Sequence, residues 1–232
     1  MKSVCPPYLA LFAFVAILSQ SAAFANEPQT PGVTELEKER CFPPVNELQQ
    51  PQVTREHSPG TGGQEGCCLL PGRSLPVLDI NMGGEISVSD NNIVKRPWSS
   101  KSFEGRGKVQ LVQYVAAVKG AVRQNKTFTD TLVEKQFSSE QLDTTVIVHT
   151  ADTMSFAKGF VAKRVAKNKL KHQSVNFVID DNGEGLQAWG MKHKSSAIIV
   201  LDASGRVLFA KDGPLTEIEI ESTIKLIENQ LS

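Results

Sequence analysis

The groups in this 232-residue sequence best suited to covalent chemistry are Cys41, Cys67 and Cys68, once an N-terminal segment carrying Cys5 is set aside. A cysteine becomes a nucleophile as its thiolate, which forms where a helix N-terminus or a cation lowers its pKa. The backbone suited to that task is residues 108–128, KVQLVQYVAAVKGAVRQNKTF. There an apolar run, 109–115, passes through Ala116 and Ala117 into Lys119-Gly120 and a helical pattern. Turns from strand to helix converge backbone N–H groups and the helix dipole on one point. Yet residues 116–122 hold no Cys, Ser, Thr, His or acid. A pair of cysteines for thiol exchange and a single peroxidatic cysteine are therefore both missing from the turn.

The remaining candidates have plainer readings. Three cysteines suggest one bridge and a spare thiol, with Cys41 joined to Cys67 or Cys68, or a strained vicinal Cys67–Cys68 pair. A bridge from Cys41 would stabilise by about 3 kcal/mol in the chain-entropy account. Their spacing with His57 fits no zinc template, so neither metal nor cofactor is expected. Asp180 to Glu184, DDNGE, resembles a calcium loop only loosely and reads as a turn ending a strand. Asn125-Lys126-Thr127 spells a glycosylation sequon inside a predicted helix. Lys158, Lys163, Arg164, Lys167, Lys169, Lys171 and His172 make a basic stretch, with Lys192, His193 and Lys194 further on. A solvated helix face is the simplest account, and a weak contact with anionic surfaces or lipid headgroups is the sharper one.

Charge and composition bound the setting. Acids and bases balance at 25 each, so nothing draws the whole chain to nucleic acid. A basic start at Lys2, an apolar run over 8–18 and Ala23-Phe24-Ala25 form an export signal with cleavage expected after Ala25. The run is too short to span a bilayer. No later stretch reaches that length, so a soluble periplasmic product is expected. Residues 26–72 are rich in proline and glycine and poor in bulky apolar side chains, and read as a flexible arm.

From residue 73 the chain reads as a folded domain running to 232. Residues 75–80 and 86–88 suggest a small hairpin turning at Gly83-Gly84, and 91–107 a polar connection. Strands are expected at 109–115, 144–149, 175–179, 197–201 and 207–210. A helix is expected over 121–137, with Phe128, Leu132 and Val133 on one face. Another runs from an N-cap at Asp152 or Thr153 to about 168, with Phe156, Phe160, Val161 and Val165 inward. A short helical piece falls at 186–190. The last helix starts at Thr216 with Glu219 completing a capping box, and buries Ile220, Ile224, Ile227 and Leu231. Strands separated by helices lie parallel and a terminal hairpin antiparallel. The fold class is therefore α/β: a thioredoxin-like mixed sheet flanked by helices on both faces, with an extra strand-helix insertion at 175–190.

The blocks VNFVIDDNGEGLQAWG, SSAIIVLDASGRVLFAKDG and PW…GKVQLVQ resemble the YtfJ family, bacterial and mostly periplasmic proteins of thioredoxin-like fold and poorly defined function. The resemblance covers 73–232 and is most specific over 98–113 and 195–213. It implies a periplasmic thioredoxin-like domain without the redox pair and leaves Cys41, Cys67 and Cys68 outside. Where thioredoxin folds carry a cis-proline, this chain has Ser196 after Ser195, and an ordinary trans peptide is expected. The former thiol cleft would be lined by Lys119, Gly120, Ser195 and Ser196, with helix-start amides able to hold a carboxylate. The expected function is a redox-inactive binding or accessory module whose partner is a periplasmic protein or a small anionic ligand. The rival is a thiol-disulfide oxidoreductase or peroxidase-type enzyme that uses the arm cysteines.

Overall fold

The computed structural model describes residues 69–89 and 92–232. The expected signal segment, most of the arm and Cys41, Cys67 and Cys68 lie outside the described residues. The elements are β1 (Asp79–Ser89), β2 (Asn92–Ser99), a 3-10 turn (Ser100–Phe103), β3 (Val109–Ala116), α1 (Lys119–Gln124), α2 (Lys126–Lys135) and β4 (Leu142–His149). They continue as α3 (Ser155–Lys171), β5 (Val175–Asp180), α4 (Glu184–Ala188), β6 (Ser196–Leu201), β7 (Val207–Asp212) and α5 (Glu217–Leu231).

One seven-stranded sheet runs β2-β1-β5-β4-β3-β6-β7. β3 pairs parallel with β4, and β4 with β5; β6 lies antiparallel to β3, and β7 to β6. All eight residues of β3 are buried, Gln110 and Gln113 included, so it lacks the strict apolar-polar alternation of a half-exposed strand. The order β3-α-β4, then an antiparallel hairpin and a closing helix, is the thioredoxin arrangement, with the expected extra strand-helix piece, β5 and α4, and with β5 lying on the β4 side. α5 opens on the expected capping box, Thr216 with Glu219.

The long helices share one face. The chain steps from β3 to β4 to β5 in a single direction across the sheet, so right-handed crossovers put α1, α2 and α3 on the same side. Val115, Val146, Val148 and Phe177 meet Ala121, Val122, Val161 and Val165 there. α5 joins them, with Ile220, Ile224 and Ile227 against Leu111, Phe128, Ile198 and Val200. The other face carries the short α4 and the 3-10 turn, with Leu69, Leu78, Trp98, Phe103 and Trp189 packed on Val112, Tyr114, Ile147 and Val178.

Several expectations are corrected. Gly83-Gly84 is not a turn but lies inside β1, where the register with β2 shifts between Ile80 and Glu85. Both glycines have positive φ, 113° and 89°, and a Cβ on them would stand 2.1 Å from the Ile179 carbonyl oxygen and 1.9 Å from that of Arg96. The chain reverses after Ser89, and most of 91–107 is β2 and the 3-10 turn rather than a connection. The single helix expected over 121–137 is two, broken at Asn125. That amide donates to the carbonyls of Ser196 (2.9 Å) and Gly213 (3.1 Å) and accepts from the N–H of Leu215 (3.0 Å). It is 2% exposed, which removes it as a glycosylation acceptor. α3 is capped at Met154 and runs on to Lys171, because the carboxylate of Asp152 is used by His193 and Lys194 instead. Phe156 and Phe160 point away from the core, with Ala157, Val161, Val165 and Ala166 inward.

Candidate functional site

Four neighbouring strands converge on the same rim. Ala116 of β3 pairs with His149 of β4, His149 with Asp180 of β5, and Val115 of β3 with Ser196 of β6. Parallel strands ending together beside helix starts are where α/β folds place ligands.

The predicted quartet divides here. Lys119 and Gly120 are exposed in the first turn of α1. That helix has only six residues, so its dipole is short. Ser195 and Ser196 are buried, and their polar groups are already engaged. The Ser195 hydroxyl donates to Gln124 Oε1 at 3.3 Å, and its carbonyl accepts from the N–H of Ala116 at 2.9 Å. The Ser196 N–H donates to Gln124 Oε1 at 2.9 Å, and its Oγ accepts from Gln113 Nε2 at 3.1 Å. The peptide between the two serines is trans. The pair therefore ties β6 to α1 and β3. Neither hydroxyl meets a histidine or carboxylate that would activate it.

Beside the quartet lies a buried polar cluster that sequence reasoning missed. Asp180 is fully buried and accepts four hydrogen bonds. Its Oδ1 takes the N–H groups of Gly183 (2.7 Å) and Glu184 (2.9 Å), while Oδ2 takes the N–H of Gly185 and the Tyr114 hydroxyl, each at 2.9 Å. Asp180 thus supplies the start of α4, where Gly183 is the N-cap and has no side chain to do so. Burial opposes its charge, but bonds from Glu184, Gly185 and Tyr114 outweigh burial and hold its carboxyl below the usual range. Glu184 faces it and shifts the other way, pushed up to about 7 by burial and then by the charge and acceptor oxygens of Asp180. Burial, then the charge of Asp180, also raises the Tyr114 phenol.

The Tyr114 ring stacks on His149, centroids 5.1 Å apart and planes at 10°. His149 is fully buried, and neither ring nitrogen has a hydrogen-bond partner. Burial lowers its pKa against the pull of Asp152, Asp180 and Asp212, so it is neutral at pH 7. Its Nε2 lies 3.7 Å from Asp152 Oδ2, beyond hydrogen-bond reach. Asp152 instead holds His193, with Nδ1 2.6 Å from Oδ1, and accepts the N–H of Lys194 at 2.7 Å. The His193 side chain is 69% exposed, so an imidazole oriented by a buried carboxylate stands at the rim. Such a pair can carry a proton, but residues 116–122 offer it no nucleophile. Among the described residues no group of three or more His, Cys, Asp or Glu could hold a metal ion. The one sequence signal for this cluster was a polar residue closing an apolar strand, His149 after TVIV and Asp180 after NFVI. Nothing local paired either with Tyr114.

A family model described as a bacterial protein of unknown function (YtfJ_HI0045) matches residues 69–230. The chain is similar to the uncharacterized protein YtfJ of Escherichia coli (strain K12), 31% identical over 175 residues, which cover 71% of this chain and 94% of that protein. It is also similar to an uncharacterized protein of Haemophilus influenzae, 34% identical over 155 residues, which cover 67% of this chain and 83% of the other. Among solved structures, it is similar to a putative thiol:disulfide interchange protein DsbE from Chlorobium tepidum, at 15% identity and TM-score 0.46, covering 71% of this chain and 99% of that one. A thiol-disulfide isomerase from Corynebacterium glutamicum matches at 13% identity and TM-score 0.47, covering 68% and 97%.

Proposed function

This chain belongs to the YtfJ family, and from that membership and the chemistry of its sheet rim we propose that it is an exported, non-catalytic binding or accessory module. One observation carries the reading. The turn from β3 into α1 holds Ala116, Ala117, Val118, Lys119 and Gly120, with no group able to attack a disulfide or a peroxide. The serines facing it are consumed in joining β6 to α1 and β3. Such a rim presents a surface: Lys119 and Gly120 outward, a cation suited to an acidic protein or small anionic ligand. The export part of the reading is supported by the N-terminal sequence, the basic start, short apolar run and Ala23-Phe24-Ala25, which favour a periplasmic setting.

The rival reading delivers arm cysteines to that turn. Gly72 donates to the carbonyl of Val207, whose strand pairs at Leu201 opposite Gln110, the start of β3. The turn follows the other end of β3, five strand residues further on from Gln110 to Val115, or about 17 Å. Leu69 packs on the face opposite α1. Leu69, the first described residue, therefore meets the domain away from the turn, which supports the binding module over the rival.

The test joins two measurements. Wild type and a Cys41→Ser, Cys67→Ser, Cys68→Ser variant are assayed for insulin reduction and peroxide turnover, and no turnover is expected from either. Turnover lost in the variant would establish the rival, and turnover kept in it would defeat both. Affinity capture from a periplasmic extract with wild type and Lys119→Glu then reads the rim. A partner lost with the charge reversal is the expected result, and capture unchanged by it removes Lys119 from the surface.

A further inference from the structure

α3 carries two apolar stripes, and the fold uses only one. Successive residues turn by about 100°, so Val161 and Val165 lie together, and Phe156 and Phe160 lie together about 140° away. The sheet takes the first stripe with Ala157 and Ala166. The second projects into solvent, Phe156 at 75% and Phe160 at 73% exposure, and with Ile218 these are the most exposed large apolar side chains of the described residues. Isolated exposed apolar residues are ordinary, but a pair one helical turn apart on a long surface helix is not. The same spacing places Lys163, Lys167 and Lys171 on that face, with Leu170 beside them, all exposed. The 17 residues of α3 contain no acid. Lys158 and Lys169 bond to backbone carbonyls at the flanks of the helix, whereas Lys163, Lys167 and Lys171 form no ion pair among the described residues.

We propose that the solvent face of α3 docks this domain on an anionic lipid surface, with Phe156 and Phe160 inserted at the headgroup level and Lys163, Lys167 and Lys171 on the phosphates. Shape decides for lipid over an acidic peptide. The face is the convex side of one helix and its rings project from it into solvent, so among the described residues it offers protruding side chains rather than a recess for a peptide. A headgroup layer deforms around protruding rings, and lysine stems lie along its apolar boundary while the ammonium groups stay wet. The helix is about 26 Å long, enough to lie in the interface plane. The inference does not depend on the rim reading, since it uses a different surface.

The full chain is tested by co-sedimentation with vesicles of phosphatidylcholine alone and of equal phosphatidylcholine and phosphatidylglycerol, at low and high salt. The expected result is binding to the mixed vesicles that falls with salt and is weak on the neutral ones. Phe156→Ser with Phe160→Ser should weaken it about 100-fold, roughly tenfold per ring. Lys163→Gln with Lys167→Gln should weaken it about 25-fold at low salt, roughly fivefold per charge. All four positions face solvent, so circular dichroism and urea midpoints should match wild type. Attachment through the N-terminal apolar run would be equal in wild type and both variants, and that equality overturns the proposal. Equal binding to neutral and anionic vesicles also overturns it. So does binding of a soluble polyglutamate peptide without binding of vesicles.

Discussion

Asp180→Asn tests the buried polar cluster that holds β3, β5 and α4 together. The carboxylate accepts at Oδ1 from Gly183 and Glu184 and at Oδ2 from Gly185 and Tyr114. Asparagine keeps one acceptor oxygen and replaces the other with a donor. With the oxygen at the Oδ1 position, the Gly183 and Glu184 bonds survive as neutral bonds. Tyr114 can rotate its hydroxyl to accept from the new NH2, but the Gly185 N–H is left facing a donor. An orphaned buried N–H costs about 1–3 kcal/mol, and each of the two bonds losing charge assistance about 0.5–1 kcal/mol, which gives about 2–5 kcal/mol in all. Urea denaturation at pH 7 should show that loss at an unchanged slope. Tyr114→Phe removes a single donor and should cost about 1–2 kcal/mol. The double variant should fall short of the sum by about 1 kcal/mol, since the two residues share a bond. The folded state depresses the pKa of Asp180, so its contribution is present above the ordinary value of 3.8 and is lost as pH falls through the lower folded value. The gap between wild type and Asp180→Asn should therefore close in acid. A loss under about 1 kcal/mol at pH 7, or a gap that widens in acid, would refute the assignment of Asp180 as a charged acceptor of four bonds.

Glu184→Gln should flatten a pH dependence of the opposite sign. Glu184 titrates near 7 in the fold against 4.5 ordinarily, so the native state binds the extra proton and stability declines as pH rises between those values. Melting temperatures of both proteins from pH 5 to 8 check this, and the difference between them isolates it from the opposing slope of His149, whose pKa is lowered by burial. Gly185→Ala should cost about 1–3 kcal/mol by overpacking, because its Cβ would stand 2.4 Å from a ring carbon of Tyr114; in a Tyr114→Ala background the penalty should vanish. Asn125→Ala should cost about 2–4 kcal/mol, since it orphans the Leu215 N–H and removes the donor to Ser196 and Gly213; faster amide exchange at Leu215 is the local readout.

The elements that local chemistry makes were legible in advance. β4, β5 and β6 are short β-branched runs closed by polar residues, and the Thr216–Glu219 box announces α5 because a capping box is complete within four residues. Where a residue's role depended on a distant partner, the reading failed. Gly83 and Gly84 spell a turn, but they sit in a strand because the carbonyls of Ile179 and Arg96 come too close for any Cβ. Asn125 spells a sequon, but it breaks a helix because carbonyls 71 and 88 residues away claim its amide.

What the sequence alone determined was the alternation of strands and helices from β3 onward, apart from the break at Asn125, together with the thioredoxin-like class and the lack of a nucleophile in the turn after β3, since hydrophobic period, cap motifs and residue identity are properties of the chain itself. Only the tertiary structure decided which side chains meet at the rim and which apolar stripe of α3 is covered. Phe156 and Val161 obey the same helical spacing, and nothing local ranks them. The sheet accepts the stripe whose small residues let α3 approach, and the phenylalanines are left in water. Tyr114, His149, Asp152 and Asp180 likewise come together only through strand pairing and the turns that follow β4 and β5, because burial and charge coupling belong to the assembled sheet.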